Sequence, residues 1–459
     1  MPTIYPSSFI LHPLSRPLSA TVRVPGSKSL TNRALLIASL TNGTTHLTNA
    51  LFSDDSRYFA RALQTLGFDV QLDESNHAMT VTGLGGKIPA KQAELFIGNA
   101  GTAARFLSAF LTLGHGEYIL DGEPRMRERP IGDLVEALGQ LGARIDPVER
   151  LTPALSKVEG LNVQRQICPP IKINASGLPG GKTKIAGDIS SQFLSALLMV
   201  APYAQNEIEI TLSTDLNSKP YVDMTLAIMR DFGVEVERDG YRSFTIPLTR
   251  YKLQDTQLVS RISYPVESDA SAASYFFAAP AICGGTVRVE NISRKSVQGD
   301  IAFLDVLTQM GCTVTEENNS LLVTCNAQPK GIDIDMRDIP DTAQTLAAIA
   351  PFADSPTRIR GIASARVKET DRISATCTEL KRLGVQVDEH EDGMTIYPTF
   401  DLQPATVRTY NDHRMAMAFS LIGLRFDGVT IENPSCVSKT FPNYFDVLET
   451  LCITDSNVS

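Results

Sequence analysis

The feature that most constrains the fold is a recurring pattern: an amphipathic helical segment, a glycine and a short β-prone run. Glycine suits the left-handed conformation that ends many helices, and the residues after it suit a strand. The pattern is common in α/β proteins, but five copies spaced by roughly 75 to 90 residues indicate duplication. The copies are Ser56 to Leu66 with Gly67 and Phe68 to Val70; Ile131 to Leu141 with Gly142 and Ala143 to Ile145; Val222 to Phe232 with Gly233 and Val234 to Val236; Asp300 to Met310 with Gly311 and Cys312 to Val314; and Asp371 to Leu383 with Gly384 and Val385 to Val387. A weaker sixth copy is Phe441 to Leu451.

A second kind of helical segment lies between most of these copies. It is apolar on nearly all sides, which predicts burial at a domain centre, and it follows a polar entry segment. These pairs are Gly98 to Thr102 before Ala103 to Leu113, Gly187 to Ser191 before Gln192 to Val200, Glu267 to Asp269 before Ala270 to Ala279, Pro340 and Asp341 before Thr342 to Ala350, and Asn411 to His413 before Arg414 to Leu424. Three copies on each side of a midpoint near Tyr264 predict two similar α/β domains.

Length and composition narrow the function. A chain of 459 residues exceeds what one hydrophobic core usually supports, which also favours two domains. A net charge of −9 disfavours a nucleic-acid partner, and no apolar run approaches the roughly 18 residues of a membrane span. The seven cysteines include no Cys-x-x-Cys pair, so we expect a reducing cytoplasmic setting and neither a disulfide framework nor a zinc site.

The segment Pro25 to Arg33 is the first candidate site. A β-prone run, Thr21 to Val24, passes through Gly and Ser into the apolar helical segment Ala34 to Leu40. The first N–H groups of a helix lack partners and the dipole is positive there, so such a junction suits a phosphate or carboxylate. Lys28 and Arg33 oppose the dipole unless an anion binds. An ordinary turn with solvated charges remains the alternative.

Further basic residues stand at other predicted helix starts, and together they describe a pocket for several anionic groups. They are Arg105, Arg372 and Arg414, with a loop cluster at Arg125, Arg127 and Arg129. Solvated or salt-bridged side chains are the alternative for each one. Glu369 beside Lys368 could act as a general acid or base, although an intrahelical ion pair with Arg372 explains it equally well. Asp341 is first of all a predicted helix N-cap, and His413 is interpreted as structural.

Residues 147 to 168 are polar and aperiodic, and we interpret them as a surface loop.

Taken together, these motifs resemble the EPSP synthase (3-phosphoshikimate 1-carboxyvinyltransferase) family over about Leu18 to Leu451. The matching segments are Pro-Gly-Ser-Lys-Ser from Pro25, Gly-Asn-Ala-Gly-Thr from Gly98, Ile-Ser-Ser-Gln-Phe from Ile189, Arg-Val-Lys-Glu-Thr-Asp-Arg from Arg366 and Tyr-Asn-Asp-His-Arg-Met-Ala from Tyr410. The resemblance implies two similar, inverted α/β-barrel-like domains, each of three βαβαββ repeats, joined by two crossover segments. We expect one domain from residues 1–24 plus 267–459 and the other from residues 25–266.

The resemblance also implies an activity, in which the enolpyruvyl group of phosphoenolpyruvate passes to the 5-hydroxyl of shikimate 3-phosphate through a tetrahedral intermediate, with release of phosphate. It implies no metal and no organic cofactor. We expect a cytoplasmic enzyme of the shikimate pathway, monomeric, with those two small molecules as partners. Two alternatives are kept: a UDP-N-acetylglucosamine enolpyruvyl transferase, whose family typically has a loop cysteine where this chain has Arg125, and a non-catalytic phosphometabolite-binding protein.

The resemblance assigns roles residue by residue. Asp341 would take the proton from the 5-hydroxyl, and Glu369 with Lys368 would handle the proton at the methylene carbon. Shikimate 3-phosphate would be held by Lys28, Ser29, Arg33, Ser190, Ser191, Gln192, Ser218, Tyr221, Asp341, Ser364 and Lys368. Phosphoenolpyruvate would be held by Lys28, Asn99, Gly101, Thr102, Arg125, Gln192, Arg372, Arg414 and Lys439.

The sequence departs from the family pattern in three places, one of which is residues 147 to 168, a segment longer than is usual in the family. Ser364 stands where an Asn is common in the shikimate 3-phosphate site, which weakens one expected contact. Phe106 stands where glyphosate-sensitive members usually have Pro, which predicts weaker inhibition by glyphosate.

Overall fold

The structure is a computed structural model that describes residues 5–148, 167–252 and 262–451. The chain divides into two compact units. We call Gly26–Val266 the central unit, and Met1–Pro25 together with Glu267–Ser459 the terminal unit. Most of the predicted surface loop, residues 149–166, lies outside the described residues.

The chain begins in the terminal unit with β1 (Ser8–Ile10) and β2 (Leu18–Arg23), and then enters the central unit. The central unit contains three successive repeats. The first comprises α1 (Lys28–Leu40), β3 (Asn42–Thr48), α2 (Asp54–Thr65), β4 (Asp69–Asp73) and β5 (Ala78–Leu84). The second comprises β6 (Gln92–Phe96), α3 (Gly101–Leu111), β7 (His115–Asp121), α4 (Gly132–Gln140), β8 (Arg144–Pro147) and β9 (Ile171–Ser176). The third comprises β10 (Gly181–Ile185), α5 (Ser191–Val200), β11 (Ile208–Leu212), α6 (Lys219–Asp231), β12 (Glu237–Asp239) and β13 (Ser243–Ile246), and β14 (Ile262–Pro265) follows.

Each repeat of the central unit forms its own four-stranded mixed sheet. The strand orders are β14-β3-β5-β4, β6-β7-β9-β8 and β10-β11-β13-β12. In each sheet the first two strands are parallel and the last three are antiparallel. The first repeat therefore takes its leading strand, β14, from the far end of the unit.

The terminal unit repeats this plan. It contains α7 (Ala270–Cys283), β15 (Gly285–Glu290), α8 (Phe303–Gln309), β16 (Thr313–Glu317) and β17 (Ser320–Cys325); then β18 (Asp333–Asp335), α9 (Ala343–Ile349), β19 (Thr357–Arg360), α10 (Arg372–Arg382), β20 (Val387–His390) and β21 (Gly393–Ile396); and last β22 (Ala405–Val407), α11 (His413–Gly423), β23 (Val429–Glu432) and α12 (Tyr444–Thr450). Its sheets have the orders β16-β17-β15-β2, β18-β19-β21-β20 and β1-β23-β22. Strand β2 precedes α1 in the chain but pairs with β15 of the terminal unit, and β14 precedes α7 but pairs with β3 of the central unit. The chain therefore crosses between the two units twice. The predicted α/β class with three repeats per unit is confirmed.

The repeating glycines have the predicted backbone geometry. Gly67, Gly142, Gly233, Gly311 and Gly384 all have positive φ, between 76° and 98°. The pattern failed in three places, one of which is the run Val385 to Val387, where β20 begins only at Val387. Val234 to Val236 is not a strand, since β12 begins only at Glu237. The weak copy Phe441 to Leu451 contains α12 but no glycine, and no strand of the described residues follows it.

The helices predicted to be buried form the core of each unit. Every residue of α3 is buried, as is nearly every residue of α7 and α11. In the central unit α1, α3 and α5 pack together, and in the terminal unit α7, α9 and α11 do. Each group brings its polar N-terminal segments into one region of its unit. Among the described residues there is no helix with the length and apolar character that a membrane crossing requires.

Candidate active site

The terminal unit gathers six charged side chains into a buried cluster. Its centre is Asp341, which accepts hydrogen bonds from two arginines: Arg372 Nη1 lies 3.1 Å from Oδ1, and Arg414 Nη2 lies 2.7 Å from Oδ2. Arg414 Nη1 also donates to the backbone oxygen of Asp341 at 3.0 Å. The aspartate is thus fixed from both sides by planar, always-charged donors.

Three further side chains complete this cluster. Glu369 accepts from Arg372 Nη2 at 2.8 Å through one oxygen and from Lys439 Nζ at 2.9 Å through the other. Asp412, which is fully buried, accepts from Arg372 Nε at 2.8 Å. The cluster therefore pairs three cations with three carboxylates, and the geometry satisfies the pairing that buried charges require.

The local fold explains why these groups meet. Asp412 is the N-cap of α11 and accepts from the backbone N–H of Arg414 at 2.9 Å, so Arg414 lies in the first turn. Arg372 is the first residue of α10. Lys439 ends a 3₁₀ segment, Pro434–Lys439. A cation in the first turn opposes the helix dipole, so bonds to carboxylates are needed to hold both arginines at these positions.

The prediction that Asp341 caps a helix is wrong. It lies inside the 3₁₀ turn Pro340–Thr342, and Thr342 occupies the N-cap position of α9. The carboxylate accepts hydrogen bonds from the two arginines. A short polar side chain before a helix usually indicates an N-cap. Here tertiary packing instead places two guanidinium groups against the carboxylate of Asp341.

Burial and charge oppose each other at Arg372. Burial alone lowers the pKa of a guanidinium, but Asp412, Glu369 and Asp341 outweigh it and raise the pKa of Arg372 above its usual value. Tyr275, whose hydroxyl lies 3.5 Å from Arg414 Nη1, has a pKa raised to about 12 by burial. Arg372 and Tyr275 therefore stay protonated at neutral pH.

Lys368 and Ser364 flank this cluster along the chain. Ser364 belongs to the 3₁₀ segment Ala363–Val367, and Lys368 follows directly before Glu369. Both are half-buried. A ligand can therefore reach Ser364 and Lys368 more readily than the deeply buried Arg372.

In the central unit the most buried cation is Arg33, which is 2% exposed. Its guanidinium donates to Thr225 Oγ1 at 2.8 Å, Ser29 O at 3.0 Å, Tyr221 O at 3.2 Å and Ser195 Oγ at 3.4 Å. All four acceptors are uncharged, and burial lowers the pKa of Arg33 to about 10. A nearby anion would stabilise this charge.

Lys28 and Ser29 begin α1 beside Arg33. Ser27 caps the helix by accepting from Leu30 N at 3.4 Å. Lys28 Nζ lies 3.8 Å from Asp55 Oδ2, and its side chain is only 14% exposed. The predicted helix starts earlier than expected, at Lys28, so both basic residues of the motif lie within its first two turns.

The entry to α3 forms a second cationic position. Arg129 Nη1 donates to Asn99 at both its backbone oxygen and Oδ1, at 3.1 Å in each case. A β-carbon on Gly101 would lie 2.5 Å from Arg129 Nη2, so the guanidinium occupies space that a side chain at residue 101 would need. No side chain caps α3. The start of α3 and Arg129 together suit an anion.

The sequence placed Arg125 and Arg129 in one loop cluster, and the resemblance assigned Arg125 to phosphoenolpyruvate. The structure pairs Arg125 with Glu128 at 2.8 Å near the surface, and brings Arg129 against the Asn99 loop. The two arginines flank the 3₁₀ turn Met126–Glu128. Sequence spacing alone does not show which way this turn directs each side chain. The sequence signal for Arg129 was Gly101, whose missing side chain leaves room for a neighbour close to the backbone.

The remaining predicted residues of the central unit lie at the starts of α5 and α6. Ser190 caps α5 by accepting from Gln192 N at 3.3 Å, and the buried Ser191 begins it. Gln192 Nε2 lies 3.5 Å from Thr102 Oγ1, which links α5 to the start of α3. Ser218 precedes α6 in a left-handed conformation, with φ of 58°, and Tyr221 follows in the first turn. The central unit thus lines one region with hydroxyls, amides and cations.

The sequence was compared with known proteins. The profile of the family described as EPSP synthase (3-phosphoshikimate 1-carboxyvinyltransferase) matches residues 14–448. The 3-phosphoshikimate 1-carboxyvinyltransferase of Nostoc punctiforme is 49% identical over 94% of this chain and 96% of its own length, and that of Shewanella halifaxensis is 48% identical over 96% and 98%.

Solved structures give the same picture of the fold. EPSP synthase from Acinetobacter baumannii superposes with a TM-score of 0.75 at 26% identity, covering 96% of this chain and 97% of that one. The enolpyruvyl transferase NikO from Streptomyces tendae gives 0.72 at 16% identity, over 97% and 98%, and supports the fold alone.

Proposed function

The chain belongs to the EPSP synthase family and transfers the enolpyruvyl group of phosphoenolpyruvate to the 5-hydroxyl of shikimate 3-phosphate, and we propose the residue roles that follow. Both substrates carry a carboxylate and a phosphate, and the reaction needs acid/base groups and charge stabilisation. The observation that carries the assignment is the placement of Asp341 between Arg372 and Arg414.

In the terminal unit, Asp341 takes the proton from the 5-hydroxyl. The two guanidinium groups hold the carboxylate in its ionised form, the form that can accept a proton. Arg372, Arg414 and Lys439 hold phosphoenolpyruvate. Four of the five N–H groups of Arg372 are used by the carboxylates described above, which leaves one for a substrate oxygen.

Lys368 and Glu369 handle the proton at the methylene carbon. Addition of the 5-hydroxyl to phosphoenolpyruvate protonates this carbon and gives a tetrahedral adduct, and loss of phosphate removes a proton from it. Glu369 is held by Arg372 and Lys439, while Lys368 is half-buried beside it. A carboxylate and an ammonium in neighbouring positions supply both the acid and the base. Ser364 and Lys368 also contact shikimate 3-phosphate in this proposal.

In the central unit, the uncompensated charge of Arg33 supports binding of shikimate 3-phosphate. Lys28, Ser29, Ser190, Ser191, Gln192, Ser218 and Tyr221 complete its contacts, and Lys28, Asn99, Gly101, Thr102 and Gln192 contribute to phosphoenolpyruvate. We assign Arg129, in place of Arg125, to phosphoenolpyruvate, because Arg129 lies against Asn99 and Gly101.

We also propose that the two compact units are the two domains of the fold, divided near residues 24 and 266, and that a single chain in the cytoplasm is the active form. Every residue assigned above belongs to one chain, and the cysteine pattern suits a reducing compartment. Light scattering during size-exclusion chromatography measures the mass, and a mass near 49.9 kDa supports the monomer while about twice that value contradicts it.

The role of Asp341 is tested with Asp341→Asn, which keeps the side-chain volume and removes the base. Proton transfer by a positioned group contributes about 100- to 10,000-fold, so we expect phosphate release to slow by at least about 100-fold. Binding of shikimate 3-phosphate, measured by calorimetry, should persist. Asp333→Asn is the control, since Asp333 pairs with Arg360 on the exposed side of β18. Turnover within a few-fold of the unaltered protein would remove Asp341 from this role.

A further inference from the structure

Glu379 is a fully buried carboxylate that the reaction does not use. It lies two turns after Arg372 on α10, and its side chain is 0% exposed. One oxygen accepts from Tyr410 Oη at 2.7 Å. The other accepts from Arg408 N at 3.0 Å and from the half-exposed Arg382 at 3.3 Å. Burying a charge is costly unless the group is well hydrogen-bonded, so these bonds must offset the cost of burying the Glu379 carboxylate.

The residues that Glu379 holds form an unusual turn. Tyr410 and Asn411 are consecutive non-glycine residues in the left-handed region, with φ of 53° and 55°. Each such residue costs free energy and persists only where its surroundings enforce it. The turn closes with Asp412 N donating to Thr409 O at 2.8 Å. It is therefore a strained connection immediately before α11.

Helix α10 fixes this connection at two points. Glu379 bonds Arg408 before the turn and the side chain of Tyr410 within it, and Arg372 bonds the side chain of Asp412 after it. Asp412 in turn caps α11 through Arg414 N. The position of the Arg414 guanidinium, which holds Asp341, thus depends on both ends of the turn.

We propose that Glu379 is a positioning residue for Arg414. By enforcing the Tyr410–Asn411 turn it sets the start of α11, and so the place of the guanidinium that holds phosphoenolpyruvate. Burial first, and the bond to Glu379 second, raise the pKa of Tyr410 to about 12, so the tyrosine remains a donor over the whole working range of pH. The inference rests on the proposed role of Arg414 in binding phosphoenolpyruvate.

The test is Glu379→Gln, which keeps the side-chain volume but places an amide N–H₂ against Arg408 N–H or Tyr410 Oη. If the Arg414 guanidinium moves and loses a bond to phosphoenolpyruvate, the affinity falls by about tenfold or more. We therefore expect the KM for phosphoenolpyruvate to rise about tenfold. The KM for shikimate 3-phosphate should rise by a clearly smaller factor, since most of its assigned contacts, Arg33 among them, lie in the other unit. Arg382→Met is the matched control: it removes the exposed partner of the same carboxylate, and both KM values should remain unchanged.

A double-mutant cycle separates positioning from a general loss of stability. Tyr410→Phe removes one of the bonds to Glu379, and should raise the same KM by a smaller factor. If Glu379 acts through the turn, Glu379→Gln adds less in the Tyr410→Phe background than alone. Full additivity, an unchanged KM for phosphoenolpyruvate in folded Glu379→Gln, or an equal rise of both KM values would each overturn the inference.

Arg414→Gln distinguishes this inference from the proposed function. A large rise in the KM for phosphoenolpyruvate with Arg414→Gln, without one in Glu379→Gln, rejects the positioning role and keeps the role of Arg414. No rise with Arg414→Gln rejects the role of Arg414 itself. Parallel rises, with melting temperatures near that of the unaltered protein, support both.

Discussion

Gly101 and Arg129 show how a missing side chain and a charge define one position. The guanidinium fills the space that a β-carbon on residue 101 would occupy, and it bonds Asn99, two residues before Gly101. Glycine is required at this point for close approach rather than for backbone freedom, because Gly101 does not have positive φ. We therefore expect that even one methyl group added at residue 101 weakens ligand binding.

Gly101→Ala tests this directly. The added carbon would lie 2.5 Å from Nη2 and 2.9 Å from Cζ of Arg129, so the guanidinium must move. We expect the KM for phosphoenolpyruvate to rise by about tenfold, the effect of one lost charged bond, with little change for shikimate 3-phosphate. Gly139→Ala is the control, since an added carbon there has no neighbour within 4 Å. Equal kinetics for Gly101→Ala and the unaltered protein would contradict the account.

The choice between Arg129 and Arg125 gives a second prediction. Arg129→Met should lower kcat/KM for phosphoenolpyruvate by at least about 100-fold, because it removes a charged donor from the site. Arg125→Met should change it by less than about twofold, since an exposed ion pair such as that with Glu128 contributes little. The reverse order of effects would return the role to Arg125.

Phe106 gives the third prediction at this scale. Its ring is fully buried in α3 and lies under the Arg33 guanidinium, 5.3 Å from Cζ to the ring centroid. Proline at this position would lose that contact and constrain how α3 meets the Gly101 loop. We expect Phe106→Pro to be inhibited more strongly by glyphosate than the unaltered protein. Equal inhibition constants for two folded, active proteins would remove the argument.

At the scale of elements, the helix–glycine–strand pattern explains most of the fold. Gly311 ends its repeat with φ of 98°, and a β-carbon there would meet nothing within 4 Å, so only backbone conformation requires glycine. Gly311→Ala should therefore destabilise the protein by about 1–2 kcal/mol. Gly139, within α4, lacks this constraint, and Gly139→Ala should stabilise by up to about 1 kcal/mol. Urea unfolding measures both; equal effects would show that φ is not the cause.

The sequence predicted these elements because their signals are local. Period, glycine and polar entry lie within a dozen residues of each other, as at α2 with Gly67. What it did not predict depends on contacts between distant segments. The bonds of Asp341 to Arg372 and Arg414, and the bond of Arg129 to Asn99, come from loops that meet only in the folded unit. Family resemblance named most site residues, while geometry showed how those charges pair.

At the scale of the whole molecule, the chain is acidic while its assigned substrates are anions. A net charge of −9 gives no general attraction for phosphates, so binding depends on the local cations of each unit. In the terminal unit carboxylates balance these cations, whereas in the central unit neutral groups hold Arg33. Substitution of the cations in either unit should therefore abolish turnover.

The whole molecule is an enzyme in which one chain joins shikimate 3-phosphate and phosphoenolpyruvate. The most direct measurement is phosphate release by the purified protein, with mass analysis of the product. We expect release with both substrates together, one phosphate per enolpyruvyl ether formed, and none with either alone. No release with both substrates, or equal release when UDP-N-acetylglucosamine replaces shikimate 3-phosphate, would contradict it.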